Sequence, residues 1–184
     1  SRPTEVLLAP GSTWEYTFVN PTADPNWNRS TGVGGDWSAA PAPFGNLTDG
    51  DFRFATPWPA DGNREQDDLW LRTEVDLTGF DLESIRWSLG VDNGYTLYAN
   101  GELISREGAE ETTYRWEYAG DFAEHLLSGP NVIAVALNDW GGYTAFDMQI
   151  TGRRSVVPLP APLWLLGAGF LSYLGLGFSR RRQS

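Results

Sequence analysis

The sequence contains no cysteine and no lysine, and its single histidine is His125. Without cysteine there can be no disulfide bond, no thiolate metal site and no cysteine nucleophile. A Gly-x-Ser-x-Gly motif, a histidine pair and a phosphate-binding glycine loop are also absent. Two leucines follow His125, which favours a packing or surface role over that of a base. We therefore expect a protein that is not an enzyme.

Basic residues are scarce before the C-terminal region. Residues 1–152 carry 8 arginines against 24 aspartates and glutamates, a formal charge of −16, and five later arginines bring the chain to −11. A surface this acidic repels phosphate backbones, so we expect no nucleic-acid partner. It also repels anionic lipid headgroups, whereas basic proteins and cations would be attracted.

One long segment lacks charge altogether. It covers the 20 residues 159–178 and is followed by the arginines at 180–182. As an α-helix it would be about 30 Å long, which matches the hydrocarbon core of a bilayer. The alternative is a buried core helix, but such helices rarely lack charge for 20 residues and then end in three arginines. We predict a Pro-rich linker at 153–161 and a transmembrane helix with a cytoplasmic Arg tail at 162–184.

The same region carries a sequence resemblance. Its parts are Val157-Pro158-Leu159-Pro160-Ala161, Leu163-Trp164-Leu165-Leu166-Gly167 and Arg180-Arg181-Arg182. Together they closely resemble the PEP-CTERM sorting tail of Gram-negative bacteria, with leucine at 159 where that family has glutamate. The resemblance covers about residues 156–182. It implies that an exported protein is directed to an exosortase, which cleaves near the proline motif.

Orientation follows from the two ends of the sequence. Ser1 is not methionine and no apolar leader follows it, which fits a mature chain whose signal peptide has been removed. Counting arginines on either side of the span favours the same direction. We expect a single-pass protein of the bacterial inner (cytoplasmic) membrane, with a periplasmic or other extracytoplasmic domain at 1–152 and a cytoplasmic C-terminus.

Small residues form a stripe along one face of the predicted span. They follow i, i+4, i+7, i+11 spacing and are Ala168, Ser172, Gly175 and Ser179. Such a stripe lets another helix approach closely, so it predicts helix packing against other membrane-protein subunits as well as anchoring in the lipid bilayer. The alternative is the ordinary glycine-rich composition of sorting tails.

The region before residue 152 has the two-residue alternation of strands that bury one face. Alternating segments are 14–18, 69–77, 85–91, 114–118 and 145–151, and 131–137 is apolar on both faces like a central strand. Asn100-Gly101 predicts a tight hairpin, and residues 69–106 together predict an antiparallel meander. One short helix is predicted at 121–127, with Asp121 as its N-cap and Gly129 as its stop.

Seven or eight strands with one short helix are typical of a β-sandwich. The segments 69–77, 90–101 and 127–135 resemble galactose-binding-domain-like jelly rolls, modules of many bacterial surface proteins and glycoside hydrolases. The expected fold is mainly β, an antiparallel jelly-roll-like β-sandwich plus one C-terminal transmembrane helix. The residues predicted between the sheets are Leu71, Val75, Trp87, Leu89, Val132 and Ala134.

Two groups of residues could hold a ligand. Asp92, Asn93 and Asn100 surround one predicted hairpin, and Asp49 and Asp51 share another turn. Their oxygens suit Ca²⁺, and jelly rolls of the resembled kind often hold a structural calcium. The alternative is that these residues only form turns. No other cofactor is predicted.

A sugar site needs exposed rings beside amides and carboxylates. The segment Asn138-Asp139-Trp140-Gly141-Gly142-Tyr143 offers both, since its glycine pair interrupts a regular strand. Trp27 and Trp37 are second candidates. The alternative is that these rings fill the ends of the sandwich.

Two functions remain open from the sequence. The first is a non-catalytic accessory or structural subunit of a bacterial membrane complex, of respiratory or photosynthetic type, and it is the one the tail favours. The second is an envelope or surface module that binds polysaccharide and is sorted by an exosortase. Chains in contact with the span would indicate the first, and a ring-lined, solvent-facing site would indicate the second.

Overall fold

The structure, a computed structural model, describes residues 2–46, 54–59, 68–107, 115–122 and 124–156. These residues form twelve strands and no helix. The strands are β1 (Glu5–Leu8), β2 (Thr13–Thr17), β3 (Ser38–Pro41), β4 (Phe44–Gly45), β5 (Thr56–Pro57), β6 (Leu69–Asp76), β7 (Phe80–Asp92), β8 (Gly94–Ala99), β9 (Glu102–Glu107), β10 (Arg115–Asp121), β11 (Pro130–Asn138) and β12 (Ala145–Arg154).

The strands form two six-stranded sheets. Sheet A has the order β10-β7-β12-β4-β5, with β1 also paired to β12, and sheet B has the order β3-β2-β6-β11-β8-β9. Neighbouring strands are antiparallel except for the parallel pair β4 and β5. The inner faces share one apolar core, where Trp14 of sheet B meets Phe146 of sheet A edge-on at 5.5 Å between ring centroids. The predicted mainly-β sandwich is confirmed.

The predicted core is confirmed in four of its six positions. Leu71, Val75, Trp87 and Leu89 all lie in the cluster between the sheets. Val132 and Ala134 are buried too, but on the outer face of sheet B, where Ala134 packs with two tryptophans. The reason is that β11 is covered on both sides, so the alternation of its apolar residues could not show which face meets the core.

Residues 20–37, which we call the strap, cover the outer face of sheet B. Trp27 is 6 % exposed and packs on Trp70 and Ala134. Its ring meets Tyr98 edge-on at 5.5 Å between centroids. A second apolar cluster therefore lies outside the sandwich core, and it accounts for part of the aromatic content between the first strands.

A buried ion pair fastens the strap to sheet B. The Arg72 guanidinium donates through Nε to Glu15 Oε2 at 2.7 Å, and through its two Nη atoms to the carbonyls of Trp27 at 3.2 Å and Gly32 at 2.8 Å. It also lies 3.8 Å from the centroid of the Trp37 ring. Both Glu15 oxygens accept the Gly32 N–H, so one charged pair holds two points of the strap.

The predicted Asn100-Gly101 hairpin is confirmed and joins β8 to β9. Both residues have positive φ, 52° and 85°, as a type I′ turn requires. The Asn100 amide donates to His125 O and to Asn131 Oδ1, both at 2.9 Å, and its oxygen accepts the Val132 N–H at 3.0 Å. These three hydrogen bonds hold Asn100 at the end of the sandwich where β8 turns into β9.

The predicted meander is wrong for most of its length. β6 lies in sheet B, β7 in sheet A and β8 again in sheet B, so only β8 and β9 pair as neighbours. Alternation shows that each strand buries one face. It does not show which strand lies beside it, and here consecutive strands supply opposite walls of one core.

The predicted helix at 121–127 is also wrong for the residues described there. β10 continues to Asp121, and Phe122 and Leu126 are buried in the sandwich core. The Asn131 side chain binds the backbone of Leu127 at both N–H and C=O, at 2.8 and 2.7 Å. The burial of Phe122 and Leu126 in the core outweighs a local capping pattern, because capping contributes only about 1 kcal/mol.

The C-terminal predictions lie beyond the described residues. None of the described residues forms a helix long and apolar enough to cross a membrane. β12 continues through Arg154 into the first two residues of the predicted linker, and the Ser155 N–H donates to Gly79 O at 2.9 Å. The span at 162–184 and the sorting motif at 157–160 fall outside the described part of the chain.

Candidate functional site

Strand registers place six short segments at one end of the sandwich, which we call the ring end. Leu137 pairs with Leu69, Asn138 with Gly94, and Ala145 with both Asp92 and Gly45. The segments of the ring end are 18–19, 45–46, 58–59, 68–69, 92–94 and 138–145. The predicted sugar-site residues therefore lie beside parts of the chain that are distant in sequence.

The connection from β11 to β12, residues 139–144, forms what we call the platform loop. Gly141 and Gly142 have φ of 96° and 92°, a region that residues with a side chain rarely adopt. The chain consequently leaves the strand path and turns two rings toward solvent. Trp140 is 36 % exposed and Tyr143 is 60 % exposed.

The second half of the platform loop is held by one amide. Asn46 Nδ2 donates to Gly142 O at 3.0 Å, and Asn46 Oδ1 accepts the Thr144 N–H at 2.8 Å. The buried Thr144 hydroxyl donates to Trp58 O at 2.6 Å. The Asn46 side chain thus supplies hydrogen bonds to the residues on either side of Tyr143, as a neighbouring strand would.

The first half is held by two further side chains. Asp68 accepts the Asp139 N–H at 3.1 Å and the Asn138 amide at 3.2 Å. Asn93 Oδ1 accepts the Trp140 N–H at 2.9 Å. The backbone beneath the rings is therefore fixed before any ligand arrives, which lowers the entropy lost on binding.

The structure does not bring the three predicted calcium ligands together. Asp92 and Asn93 lie at the ring end, whereas Asn100 lies beyond the far end of β8, about 23 Å away at the rise of a strand. Asp92 and Asn93 are buried, and the Asn93 oxygen serves Trp140. Among the residues that the structure describes, no group of three or more His, Asp or Glu side chains is arranged to hold a metal ion. Asp49 and Asp51 lie outside those residues.

The second candidates for sugar contact belong to the strap. Trp27 is buried against sheet B, so its faces are not available to a ligand. Trp37 is half-buried, and the Arg72 guanidinium covers one face of its ring. Both tryptophans therefore hold the strap on sheet B. Trp140 and Tyr143 remain as the candidate rings, and the fixed platform loop exposes them at the ring end.

His125 lies at the opposite end of the sandwich from the platform loop. Its backbone N–H donates to Phe122 O at 3.2 Å and its carbonyl accepts the Asn100 amide. It is too far from Trp140 to act on a ligand bound there.

Sequence reasoning missed three contributors to the ring end. Neither Asn46 nor Asp68 belongs to a ligand-binding motif, and their role depends on which strands become neighbours. In the sequence Phe18 continues the alternation of the first predicted strand, but β2 ends at Thr17 and Phe18 is 39 % exposed.

No protein-family model matches the chain, and no curated protein matches it either. Solved structures do match. A calcium-binding mutant of Bacteroides uniformis β-glucuronidase 2 shares 17 % identity with a TM-score of 0.55, over 83 % of this chain and 18 % of that one. A Ruminococcus gnavus β-glucuronidase shares 13 % identity with a TM-score of 0.52, over 83 % of this chain and 29 % of that one.

A β-glucuronidase from an uncultured Clostridium species shares 12 % identity with a TM-score of 0.50, over 84 % of this chain and 30 % of that one. The chain thus spans less than a third of the length of these enzymes. At such identities the likeness shows the fold alone, a β-sandwich that also occurs as one part of glucuronidases.

Proposed function

We propose that this protein is a non-catalytic carbohydrate-binding module of the bacterial envelope. Its ligand site is the platform loop, with Trp140 and Tyr143 as the rings that stack on sugar faces. The observation that carries the proposal is the exposure of two aromatic rings on a loop whose backbone is fixed by three side chains, Asn46, Asp68 and Asn93.

The chemistry of the loop suits a sugar. A pyranose ring has apolar C–H faces that pack on aromatic rings, and hydroxyl groups that need polar partners at its edge. The half-buried Asn138 precedes the rings and carries an amide, whereas Asp139 is buried and its Oδ1 accepts the Gly141 N–H at 2.8 Å, so its carboxylate supports the loop. Exposed aromatic side chains lose two rotatable bonds on ordering, so they provide contact area at low entropic cost.

The likeness to parts of glucuronidases supports a module of a kind found in carbohydrate-related proteins. The activity of those enzymes is not carried over, because the chain covers less than a third of them. The proposal has three further parts. The sandwich is a jelly roll, it holds a structural calcium, and residues 162–184 attach the protein to the membrane. The accessory-subunit hypothesis depends on that same segment and stays a prediction, which the proteins crosslinked to 163–178 in membranes would test.

The experiment is a glycan array probed with the full chain in a detergent that has no sugar headgroup. Trp140→Ala and Tyr143→Ala should each weaken binding about tenfold or more, equivalent to about 1.4 kcal/mol. Leu127→Ala is the matched control, because Leu127 is 59 % exposed and lies at the opposite end. The proposal would be disproved if the protein binds no glycan on the array, or if neither Trp140→Ala nor Tyr143→Ala weakens the binding.

A further inference from the structure

Phe18 is a further exposed ring at the ring end. It follows directly on β2, and 39 % of the residue is exposed. Its ring packs edge-on against Tyr16 with 5.7 Å between the centroids, and Tyr16 in turn packs on Phe44 of sheet A at 5.3 Å. Phe18 therefore lies on the face of sheet B that meets sheet A, one step nearer to solvent than Tyr16.

The backbone around Phe18 is held by side chains, as the platform loop is. Thr17 is buried, and its hydroxyl oxygen accepts the Val19 N–H at 3.0 Å. Just beyond, Asn20 Oδ1 accepts the Thr22 N–H at 3.0 Å. The chain is thus ordered after β2 has ended. An exposed ring on such a backbone loses little entropy when a ligand covers it.

The contacts between the sheets place Phe18 level with the second half of the platform loop. Tyr16 lies opposite Phe44, and two residues further toward the ring end the two segments reach Phe18 and Asn46. The Asn46 side chain binds the residues on either side of Tyr143. Because packed sheets lie about 10 Å apart, Phe18 and Tyr143 are separated by about 10 Å across the end of the sandwich.

The first half of the platform loop lies at a similar distance from Phe18 along sheet B. In the order β2-β6-β11, two strand spacings, or about 10 Å, separate the end of β2 from the end of β11. Trp140 follows the end of β11 by two residues. Phe18 thus faces both ring-bearing parts of the platform loop across a gap of about two strand spacings.

This gap is wider than one sugar. A pyranose ring is about as large as an aromatic ring, so a sugar stacked on Trp140 or Tyr143 does not reach Phe18. Another sugar of the same chain does reach it. Contact with Phe18 as well as with the platform loop therefore requires several linked sugars.

Resting on the proposed function, we infer that Phe18 is a third sugar-contacting residue and that the ring end binds an internal stretch of a polysaccharide chain rather than a single terminal sugar. An exposed fraction of 39 % corresponds to about 80 Å² of a phenylalanine side chain. If a sugar covers half of that area, binding becomes about fivefold tighter.

The test measures affinity against chain length. The probes are the di-, tetra- and hexasaccharides of β-1,4-linked glucose, xylose and mannose and of β-1,3-linked glucose, titrated by calorimetry into the full chain. In a series that binds, affinity should rise about fivefold or more from the disaccharide to the hexasaccharide. Equal affinity at all lengths would overturn the inference, because a terminal sugar would then make every contact.

The array ligands decide the question if none of these four series binds. Ligands that share a chain interior would support the inference. Ligands that share a terminal sugar on unrelated interiors would overturn it.

Variants of Phe18 isolate its contribution. Phe18→Ala should lower the affinity for the longest bound chain about fivefold and flatten the dependence on chain length, whereas Phe18→Tyr keeps the ring and should keep that dependence. Leu103→Ala is the matched control and should change neither, because Leu103 is 50 % exposed on β9 next to the turn at the opposite end. If Phe18→Ala does not fold, Phe18→Leu removes the flat ring and keeps an apolar side chain against Tyr16.

The outcomes separate this inference from the proposed function. Binding that depends on Trp140 and Tyr143 but not on Phe18 would overturn the inference alone. Binding that depends on none of the three rings would overturn the proposed function and the inference with it.

Discussion

Replacing Arg72 by alanine should release the strap from sheet B. The guanidinium is buried with the whole residue 6 % exposed, and it joins Glu15 at 2.7 Å to the carbonyls of Trp27 and Gly32. Alanine would leave the Glu15 carboxylate, whose side chain is 16 % exposed, without its cation. Two strap carbonyls would lose their donors at the same time.

The size of the effect follows from this burial. Removing one partner of a buried ion pair costs about 3–5 kcal/mol, since the other charge stays behind without compensation. Loss of the cation–π contact with Trp37 contributes about 0.5–1 kcal/mol within that range. For a domain of about 150 residues each kcal/mol lowers Tm by roughly 2–4 °C, so we expect a fall of about 6–20 °C.

The assay is thermal unfolding of the full chain, followed by tryptophan fluorescence. Arg29→Ala is the matched control, because its ion pair with Glu102 is about half exposed and should contribute less than about 1 kcal/mol. Arg72→Lys keeps the charge but not the planar fork, so it should fall between the two. If Arg72→Ala lowers Tm no more than Arg29→Ala does, the strap is not held by this ion pair.

Two further predictions concern single side chains. Asn46→Ala should lower the free energy of unfolding by about 1–3 kcal/mol through the lost hydrogen bonds to Gly142 and Thr144, and it should weaken glycan binding. Asn46→Asp keeps the acceptor for the Thr144 N–H, so both effects should be smaller. Glycan binding that is unchanged in both variants would refute the anchoring role of Asn46. Burial raises the pKa of the Asp147 carboxyl above its ordinary 3.8, although the N–H groups of Gly11 and Met148 oppose the rise. The folded state therefore binds more protons, and stability falls as pH rises from 3.8 through the raised pKa. Urea unfolding should show a stability advantage over Asp147→Asn that shrinks across this window, and a constant difference would contradict it.

The strands could be predicted from the sequence, whereas their arrangement could not. Alternation at 69–77 and 85–91 gave the right local structure because each strand buries one face. Membership of sheet A or sheet B depends on long-range pairing, such as β11 lying between β6 and β8, and carries no local signal. The Asn100-Gly101 turn was predictable because both positions need positive φ.

Of the candidate sugar site, only the platform loop could be predicted from the sequence. The glycine pair after Trp140 indicated a break in the strand, and the structure has that break. The supports of the loop, Asn46 and Asp68, are about 70 to 100 residues away in sequence and become neighbours only through the sheets. The three residues Asp92, Asn93 and Asn100 are not brought together for the same reason in reverse, since β8 separates Asn93 from Asn100 although they are close in sequence.

The most direct test of the central claim is a crystal structure of the protein with an oligosaccharide selected on the glycan array. The account predicts sugar rings in contact with the faces of Trp140 and Tyr143, with the platform loop unchanged in backbone conformation. An alternative position is the groove of about 330 Å³ between the strap and β2, β3 and β6, lined by residues that include Thr31 and Val33. A sugar that is bound in that groove and contacts neither Trp140 nor Tyr143 would contradict the account.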